Sequence, residues 1–336
     1  MLASLGWDEF FAAELAPHQH THLPARVCRI DRGAADLRTE SGELRAGFTA
    51  GQLDLAVGDW VAVDESGICF ALRRRTAIVR AAASGESRVQ TLVANVDDVL
   101  VTVAAFPAPR LGHIERLVAL AWDSGATPSL VVTKSDLAVE PRRLLSEVTR
   151  AAPGCEVHML SAHTGEGVES LQRYDEPGRT LCLLGRSGAG KSTLANTLVG
   201  AESMAVSDVR QDGKGRHTTT HRQLVGLPGG GVLIDTPGLR GVGVWLEEDG
   251  RAQAFPEIEE LVAECRFRDC AHDGEPGCAV LAAVESGAVD QRRLDSWRKL
   301  GREAEWIAAR HDARLQRERS REWRRLTVEA RGRVRP

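Results

Sequence analysis

Residues 181 to 193 constrain the fold of this chain more than any other stretch. They read Leu-Cys-Leu-Leu-Gly-Arg-Ser-Gly-Ala-Gly-Lys-Ser-Thr. The apolar run at the start has the length of a buried strand. It is followed by Gly185, whose spacing to Gly190-Lys191-Ser192 is that of a phosphate-binding P-loop. Glycines let backbone N–H groups surround phosphates, and the following helix offers its positive N-terminal end. The alternative is a glycine-rich turn that binds nothing. The strand, the Lys-Ser pair and the helical residues 194–198 together argue against it.

A second apolar run, residues 232–235, ends in Asp235-Thr236-Pro237-Gly238. Lys191 would reach the β- and γ-phosphates of a nucleotide, while Ser192 and Asp235 would hold Mg²⁺. The amide of Gly238 would contact the γ-phosphate. The predicted phosphate-site residues are Gly185, Arg186, Ser187, Gly188, Ala189, Gly190, Lys191, Ser192, Thr193, Asp235 and Gly238.

Composition indicates the cellular compartment of the protein. The N-terminus has no basic region followed by an apolar core, and no apolar run approaches the ~18 residues that span a membrane. Seven cysteines is an odd number, which argues against a disulfide framework and for a reducing compartment. We therefore expect a cytoplasmic protein with no membrane contact.

Charge is distributed unevenly along the chain. Residues 291–336 hold fifteen Lys and Arg against seven acids, so this end carries +8, whereas the remainder carries −12. A basic end on an acidic body suggests contact with nucleic acid. A solvated, densely charged helix end without a partner is the alternative.

The N-terminal part has the texture of β structure. Alternation at 26–30, turns at 31–33 and 41–42, and apolar runs at 55–63 and 68–72 predict about five short strands, hence a small barrel over residues 22–85. An OB-type barrel that binds RNA is one interpretation, and a purely structural barrel is the other. Arg73, Arg74, Arg75 and Arg80 fit an RNA-binding face and a solvated face equally well.

Strands alternate with helices in the next part. Apolar runs at 99–104, 129–132 and 156–160 read as strands, and a helix with Ile114, Leu117, Val118 and Ala121 on one face ends near Gly125. A further helix is predicted over 141–150. This alternation implies a parallel sheet covered on both faces, which the P-loop strand continues.

Two of these strands end where a GTPase would carry the loops that read its base. Asp136 would accept hydrogen bonds from N1–H and the 2-amino group of guanine, neither of which adenine offers. Lys134 would lie along the base and brace the P-loop, and backbone N–H groups around Ala162 would meet guanine O6. The predicted base-site residues are Thr133, Lys134, Ser135, Asp136, Ser161 and Ala162. Each tetrapeptide alone is also typical of a helix-capping turn.

Three cysteines and one histidine cluster downstream as C-x4-C-x-H-x5-C, formed by Cys265, Cys270, His272 and Cys278. Three thiolates and an imidazole suit tetrahedral Zn²⁺, and four protein ligands indicate a structural site. Polar neighbours argue against an apolar-core explanation. The remaining cysteines lie in apolar or strand contexts and are predicted to be inert core residues: Cys28, Cys69, Cys155 and Cys182.

The base motifs precede the P-loop, whereas ordinary GTPases place them after it. With a barrel in front and a cysteine cluster behind, the chain resembles the circularly permuted ribosome small-subunit-dependent GTPases (RsgA, also called YjeQ), over roughly residues 22–300. Its most specific motifs are Gly215-Arg216-His217-Thr218-Thr219-Thr220, Asp235-Thr236-Pro237-Gly238 and the cysteine cluster.

The resemblance implies roles for two switch residues. Thr219 would bind Mg²⁺ with GTP present, and His217 would replace the water-orienting Gln of Ras-like enzymes, since Leu239 follows the Asp-Thr-Pro-Gly motif here. A solvated loop position is the alternative for His217. The chain departs from the family at Thr133, where Asn is usual, which alters one contact with the base and the neighbouring loop.

The resemblance further implies a monomeric GTP hydrolase that acts late in small-subunit maturation, binds rRNA and is stimulated by the subunit. His217, Lys191 and Thr219 are the predicted catalytic residues. An RNA-binding module that uses GTP only as a conformational ligand is the alternative, and an ATP-using kinase is a weaker one. The predicted division is an extension (1–21), an OB-type barrel (22–85), a permuted P-loop GTPase domain with a doubly wound sheet (86–248) and a mainly helical zinc-binding domain with a basic tail (249–336).

Overall fold

A computed structural model describes residues 2–48, 53–81, 89–208, 222–235 and 248–306. Within these ranges the chain forms an N-terminal β-barrel, a largely parallel sheet with flanking helices, and a helical C-terminal region. No helix in the described ranges is long and apolar enough to cross a membrane.

Five strands form the barrel, as the sequence predicts. They are β1 (Leu23–Asp31), β2 (Ala34–Thr39), β3 (Gly42–Gly47), β4 (Trp60–Asp64) and β5 (Gly67–Ala71). Their order is β5-β4-β1-β2-β3, with antiparallel neighbours. The outer strands meet where Gly67 lies against the carbonyl of Gly47, so closely that a Cβ would collide with it. Val27, Leu37 and Val61 help to fill the interior.

The strand predicted over residues 55–63 begins only at Trp60. Gly58 has φ +94° and lies against the carbonyl oxygen of Ala94, where a side chain would overlap. The Asp59 carboxylate accepts a hydrogen bond from Ala56 N at 2.7 Å, which closes a tight turn. Because of the backbone geometry at Gly58, the strand begins after this residue and not at the start of the apolar run.

The N-terminal segment packs against the barrel through helix α1 (Glu9–Leu15). Trp7 and Phe11 contact the ring of Trp60, a residue with no exposed surface. The arginine run that follows β5 supports this contact. Arg75 lies over Phe11, and Arg74 binds the buried Asp59 carboxylate through Nε and Nη2 at 2.7 and 2.8 Å. Intramolecular contacts therefore engage this run, which neither sequence interpretation anticipated.

A hairpin leads from the barrel into the larger sheet. Strands β6 (Ala77–Ala81) and β7 (Val89–Ala94) pair antiparallel, and Val57 makes a bridge to Val93. The predicted boundary between residues 85 and 86 falls between these paired strands. The division into domains stays a prediction.

The larger sheet is parallel over five strands and antiparallel at the sixth. Its strands are β8 (Asp98–Ala104), β9 (Thr127–Thr133), β10 (Glu156–Met159), β11 (Thr180–Leu184), β12 (Gln223–Gly226) and β13 (Val232–Asp235). Their order is β10-β9-β8-β11-β13-β12, and β12 pairs onward with β1 of the barrel. Strands that precede β11 in the chain therefore lie beside it in the sheet, as a permuted GTPase requires.

Helices follow the strands where the hydrophobic period predicts them. They are α2 (Leu111–Asp123), α3 (Pro141–Ala151) and α4 (Lys191–Asp208). The α2 face predicted from Ile114, Leu117, Val118 and Ala121 has no exposed surface, and Gly125 with φ +81° follows the helix end. Helix α4 leaves helical geometry at Gly200.

Between residues 248 and 306 the C-terminal region forms four helices: α5 (Glu248–Ala254), α6 (Pro256–Ala263), α7 (Ala279–Glu285) and α8 (291–306). Helices α5 and α8 contact α2, and α6 packs between α5 and α7. Gly250 lies so close to the carbonyl of Ala119 that a side chain would overlap it. Glu115 of α2 is fully buried and binds Arg292 at 2.9 and 3.0 Å and Arg293 at 3.1 Å. This ion-paired cluster joins α8 to the sheet region.

Replacing Glu115 with Gln should lower the free energy of unfolding by about 3 kcal/mol, because the largely buried Arg293 loses a charged partner. Urea titration followed by tryptophan fluorescence measures this. The control is Glu140→Gln, which loosens an exposed pair with Arg143 and should cost under about 1 kcal/mol. Equal effects of the two variants would contradict the assigned role of Glu115.

Candidate functional site

The loops that carry the predicted nucleotide residues leave the sheet at one edge. Strands β9, β8, β11 and β13 run parallel, so their carboxyl ends lie side by side, with β10 beyond β9. The P-loop follows β11, and the two base loops follow β9 and β10. In open parallel sheets, ligands bind outside the carboxyl ends of the strands.

The P-loop turns sharply between β11 and α4. Gly185 lies against the carbonyl oxygen of Thr102 in β8, and a Cβ there would overlap this oxygen. Gly188 and Gly190 have φ of +83° and +87°, which side-chain-bearing residues rarely adopt. Leu194 N donates to Gly190 O at 2.9 Å, so the first helical turn follows the loop directly.

Lys191 curls back over the loop that precedes it. Its ammonium group donates to Gly185 O at 2.7 Å and to Arg186 O at 2.9 Å. Ser192 and Thr193 are exposed, and so are Arg186, Ser187 and Gly188, whereas Ala189 is buried. The loop thus places a half-buried cation and several solvent-exposed residues beside the start of α4.

The first base loop is fastened to the P-loop by two side chains. The Thr133 hydroxyl donates to Ala189 O at 2.7 Å, and Lys134 Nζ donates to Gly188 O at 3.0 Å. Lys134 has φ +57°, a left-handed conformation that turns the chain after β9. Thr133 is buried, and its hydroxyl links the two loops in the protein interior. Asp136 is exposed at the end of the loop.

The second base loop lies against the first. Ser135 N donates to Leu160 O at 3.1 Å, which couples the two loops through their backbones. Ser161 is fully buried and its N–H donates to Glu166 O at 2.9 Å. Ala162 follows it and is half-buried. The structure therefore brings both base loops and the P-loop together at one edge of the sheet.

The switch residues can be placed only in part. Asp235 ends β13, which pairs with the P-loop strand, and it is half-buried. His217, Thr219 and Gly238 lie outside the described residues. The nucleotide-contact roles of all these residues stay predictions.

The C-terminal cysteines and histidine converge as their spacing predicts. One potential ligand atom from each of Cys265, Cys270, His272 and Cys278 lies within 4.8 Å of all the others. His272 Nδ1 is 3.5 Å from the sulfurs of Cys265 and of Cys278, and these sulfurs are 3.9 Å apart. A tetrahedral zinc ion with its usual bond lengths implies edges of about 3.6 Å for N–S and about 3.8 Å for S–S. The donor set and its spacing therefore fit a tetrahedral metal ion.

The ligand loop is supported from two sides. The Glu275 carboxylate accepts hydrogen bonds from Asp273 N at 2.8 Å and Ala271 N at 3.0 Å, and such bonds lower the pKa of Glu275 to about 2. Arg298 of α8 donates to His272 O, and the ring of Trp297 meets the imidazole edge-on at 5.6 Å. Burial lowers the pKa of His272, which favours the neutral ring that a metal requires.

The seven cysteines are all free, but they differ in surroundings. Cys28 and Cys182 are buried, as predicted for inert core residues. Cys155 is half-buried and packs against the main hydrophobic core, in line with the prediction. Cys69 is half-buried in β5, so the prediction that it is a core residue is wrong.

Comparison with known proteins agrees with this geometry. Residues 71–245 match the model of the RsgA GTPase family. A protein of Streptomyces avermitilis named small ribosomal subunit biogenesis GTPase RsgA is 51% identical, with 98% of this chain and 92% of that protein covered. A protein of the same name from Opitutus terrae is 41% identical over 99% of this chain and 98% of its own length.

Solved structures give the same fold. YjeQ from Thermotoga maritima matches with a TM-score of 0.63 at 28% identity, covering 84% of this chain and 98% of that one. YloQ, described as a circularly permuted GTPase, matches with a TM-score of 0.58 at 24% identity, covering 86% of this chain and 96% of its own. The fold and the site thus define a circularly permuted P-loop GTPase. The chain belongs to the RsgA GTPase family, whose activity is GTP hydrolysis.

Some supporting residues carry little or no signal in the sequence. Glu275 lies in a polar stretch between two ligands, and only its position in the turn Asp273-Gly274 hinted at a capping role. Glu115 lies beside the apolar stripe of α2, and this position indicates a buried acid. The sequence does not indicate which residues it pairs with. Thr102 contacts Gly185 through its backbone carbonyl oxygen, and no side-chain pattern in the sequence indicates such a contact.

Replacing Gly185 with Ala should weaken GDP binding by more than about tenfold, or 1.4 kcal/mol, because the new Cβ would force the P-loop away from Thr102. Calorimetric titration with GDP and Mg²⁺ measures this. Gly226→Ala serves as the control, since a Cβ at Gly226 meets nothing within 4 Å. Unchanged GDP affinity in the Gly185 variant would refute the close packing as a determinant of the loop.

Proposed function

We propose that this protein is a GTP hydrolase that binds the small ribosomal subunit late in its maturation and leaves it after hydrolysis. Two hydrogen bonds from the Thr133–Asp136 loop to the P-loop carry the proposal, because they support a site in which Asp136 would read the base beside the loop that would bind the phosphates. The names of relatives at 51% and 41% identity support the ribosomal assignment.

Nucleotide contacts follow from the order of the loops. Asp136 would accept hydrogen bonds from guanine, the backbone near Ala162 would donate to O6, and Lys134 would lie along the base. The amides from Gly185 to Gly190 and the ammonium of Lys191 would hold the phosphates. Mg²⁺, held by Ser192, Thr219 and Asp235, would neutralise charge on the β- and γ-phosphate oxygens.

Hydrolysis would proceed by attack of water on the γ-phosphorus, with cleavage of its bond to the bridging oxygen and departure of GDP. Lys191 and the loop amides would stabilise charge on the transferring phosphoryl group. We assign His217 to the orientation of the attacking water, since Leu239 cannot perform this role. Thr219 would draw the switch segment inward only with GTP present.

The flanking regions would provide the grip on the subunit. We assign rRNA binding to the barrel and to the basic C-terminal residues, whose +8 charge suits phosphates. The division into regions 1–21, 22–85, 86–248 and 249–336, a monomeric state and a cytoplasmic location belong to the same proposal. Zn²⁺ is the ion we assign to the Cys265, Cys270, His272 and Cys278 cluster, as a structural centre.

GTP hydrolysis by the wild-type protein should rise strongly when purified small ribosomal subunits are added, and Lys191→Ala should abolish it. A phosphate-release assay, run with GTP and with ATP, measures both. Arg150→Ala removes an exposed cation from α3 and should leave turnover unchanged. Slow GTP hydrolysis that does not change when the subunit is added would indicate that GTP is only a conformational ligand.

Asp136→Asn should move nucleotide preference from guanine to xanthine nucleotides. An amide in place of the carboxylate loses acceptors for the 2-amino group and gains a donor for the 2-oxo group. Competition of GDP and XDP for a fluorescent GDP analogue measures the change. Glu140→Asn, an exposed replacement nearby in sequence, should keep guanine preference. Undiminished GDP preference in Asp136→Asn would exclude Asp136 as the discriminator.

Purified protein should contain about one tightly bound Zn²⁺ at the cysteine cluster, and Cys270→Ser should reduce its retention by at least about tenfold. Metal analysis after dialysis against a chelator measures this. Cys182→Ser changes a buried thiol in β11 and should keep the ion. A different metal in stoichiometric amount would overturn the assignment of zinc while sparing the site.

A further inference from the structure

A histidine-rich segment immediately before the barrel meets a cysteine and an aspartate of the β4–β5 hairpin. His18, His20 and His22 fall within five residues. One potential ligand atom from each of His22, Asp64 and Cys69 lies within 4.8 Å of the other two. We propose that these three residues form a second transition-metal site, separate from the C-terminal cluster and beyond the proposed GTPase function.

Strand pairing fixes this juxtaposition. In the β1–β4 ladder Leu23 opposes Val63, so His22 comes next to Asp64. In the β4–β5 hairpin Asp64 opposes Gly67, and Cys69 follows two residues later. The three side chains therefore come from neighbouring strands at one end of the barrel and need no long flexible loop to meet.

Hydrogen bonds orient two of the ligands. Asp64 Oδ1 accepts from Ser66 N at 2.7 Å and from Ser66 Oγ at 2.6 Å, which leaves Oδ2 to coordinate. The Thr21 hydroxyl donates to His18 O at 3.2 Å and lies 2.8 Å from His22 Nδ1. It would then accept the proton of Nδ1, so that Nε2 keeps its lone pair. Such an outer partner is typical of metal-binding histidines.

The donor set selects the class of ion. One thiolate, one imidazole and one carboxylate suit Zn²⁺ or another late first-row divalent ion, whereas Mg²⁺ and Ca²⁺ prefer oxygen ligands alone. The His18 ring lies 5.9 Å from the His22 ring, and Phe70 contacts both rings. His18 is thus a neighbour that could complete the coordination, in competition with water.

Exposure distinguishes this site from the C-terminal cluster. Asp64 is exposed and His22 and Cys69 are half-buried, whereas His272 and Cys278 are buried. Three protein ligands near solvent leave a coordination position open, whereas four protein ligands close the C-terminal cluster, so we expect the barrel site to exchange its ion more readily. The bound ion would tie the segment before β1 to the hairpin.

The test is titration of the full chain, carrying its tightly held metal, with Co²⁺. Thiolate-to-cobalt charge-transfer absorption should report one additional equivalent per chain. Cys69→Ser and His22→Gln should each weaken this binding by at least about tenfold. Cys155→Ser, which alters another half-buried cysteine away from the barrel, should bind like the wild type. Near-UV circular dichroism checks that every variant is folded.

Two results would overturn the proposal. One is the absence of an additional Co²⁺ equivalent in the wild type. The other is additional binding that Cys69→Ser retains unchanged, which would assign it to the histidine segment alone. Loss of the added equivalent in folded Cys69→Ser and His22→Gln, with retention in Cys155→Ser, supports the three-residue site.

Discussion

The proposed nucleotide site depends above all on the hydrogen bond from the buried Thr133 hydroxyl to Ala189 O. It joins the end of β9 to the P-loop across β8, and Lys134 adds a second link to Gly188 O. Both links reach across β8, which lies between β9 and β11 in the sheet, although both base loops precede the P-loop in the chain. The site is therefore a property of the sheet edge, and chain order can change without changing it.

The same sheet also organises the C-terminal region. Glu115 projects from α2, the helix that follows β8, and binds two arginines at the start of α8. About one helical turn further along α8, Trp297 and Arg298 contact His272 of the cysteine cluster. One helix thus connects the buried ion-paired cluster with the cysteine cluster.

Local patterns predicted much of this arrangement. The P-loop glycines, the apolar runs of β8, β9 and β13, and the spacing of Cys265 to Cys278 each determine structure within a short window. Contacts between distant segments were not predictable, because sequence gives no measure of which strands become neighbours. The pairing of Glu115 with Arg292 is one example, and the approach of His22 to Cys69 is another. For the Arg73–Arg75 run the sequence left an RNA-binding face and a solvated face equally open, whereas in the structure Arg74 pairs with the buried Asp59.

Binding of GDP against ADP to the purified protein tests the central claim most directly, because it requires neither the subunit nor the switch residues. If the joined loops form a guanine-nucleotide site, GDP should bind more than about a hundredfold tighter than ADP in the presence of Mg²⁺, since adenine leaves Asp136 without its donors. Calorimetry with both nucleotides provides the comparison. Equal affinities for GDP and ADP would contradict the account.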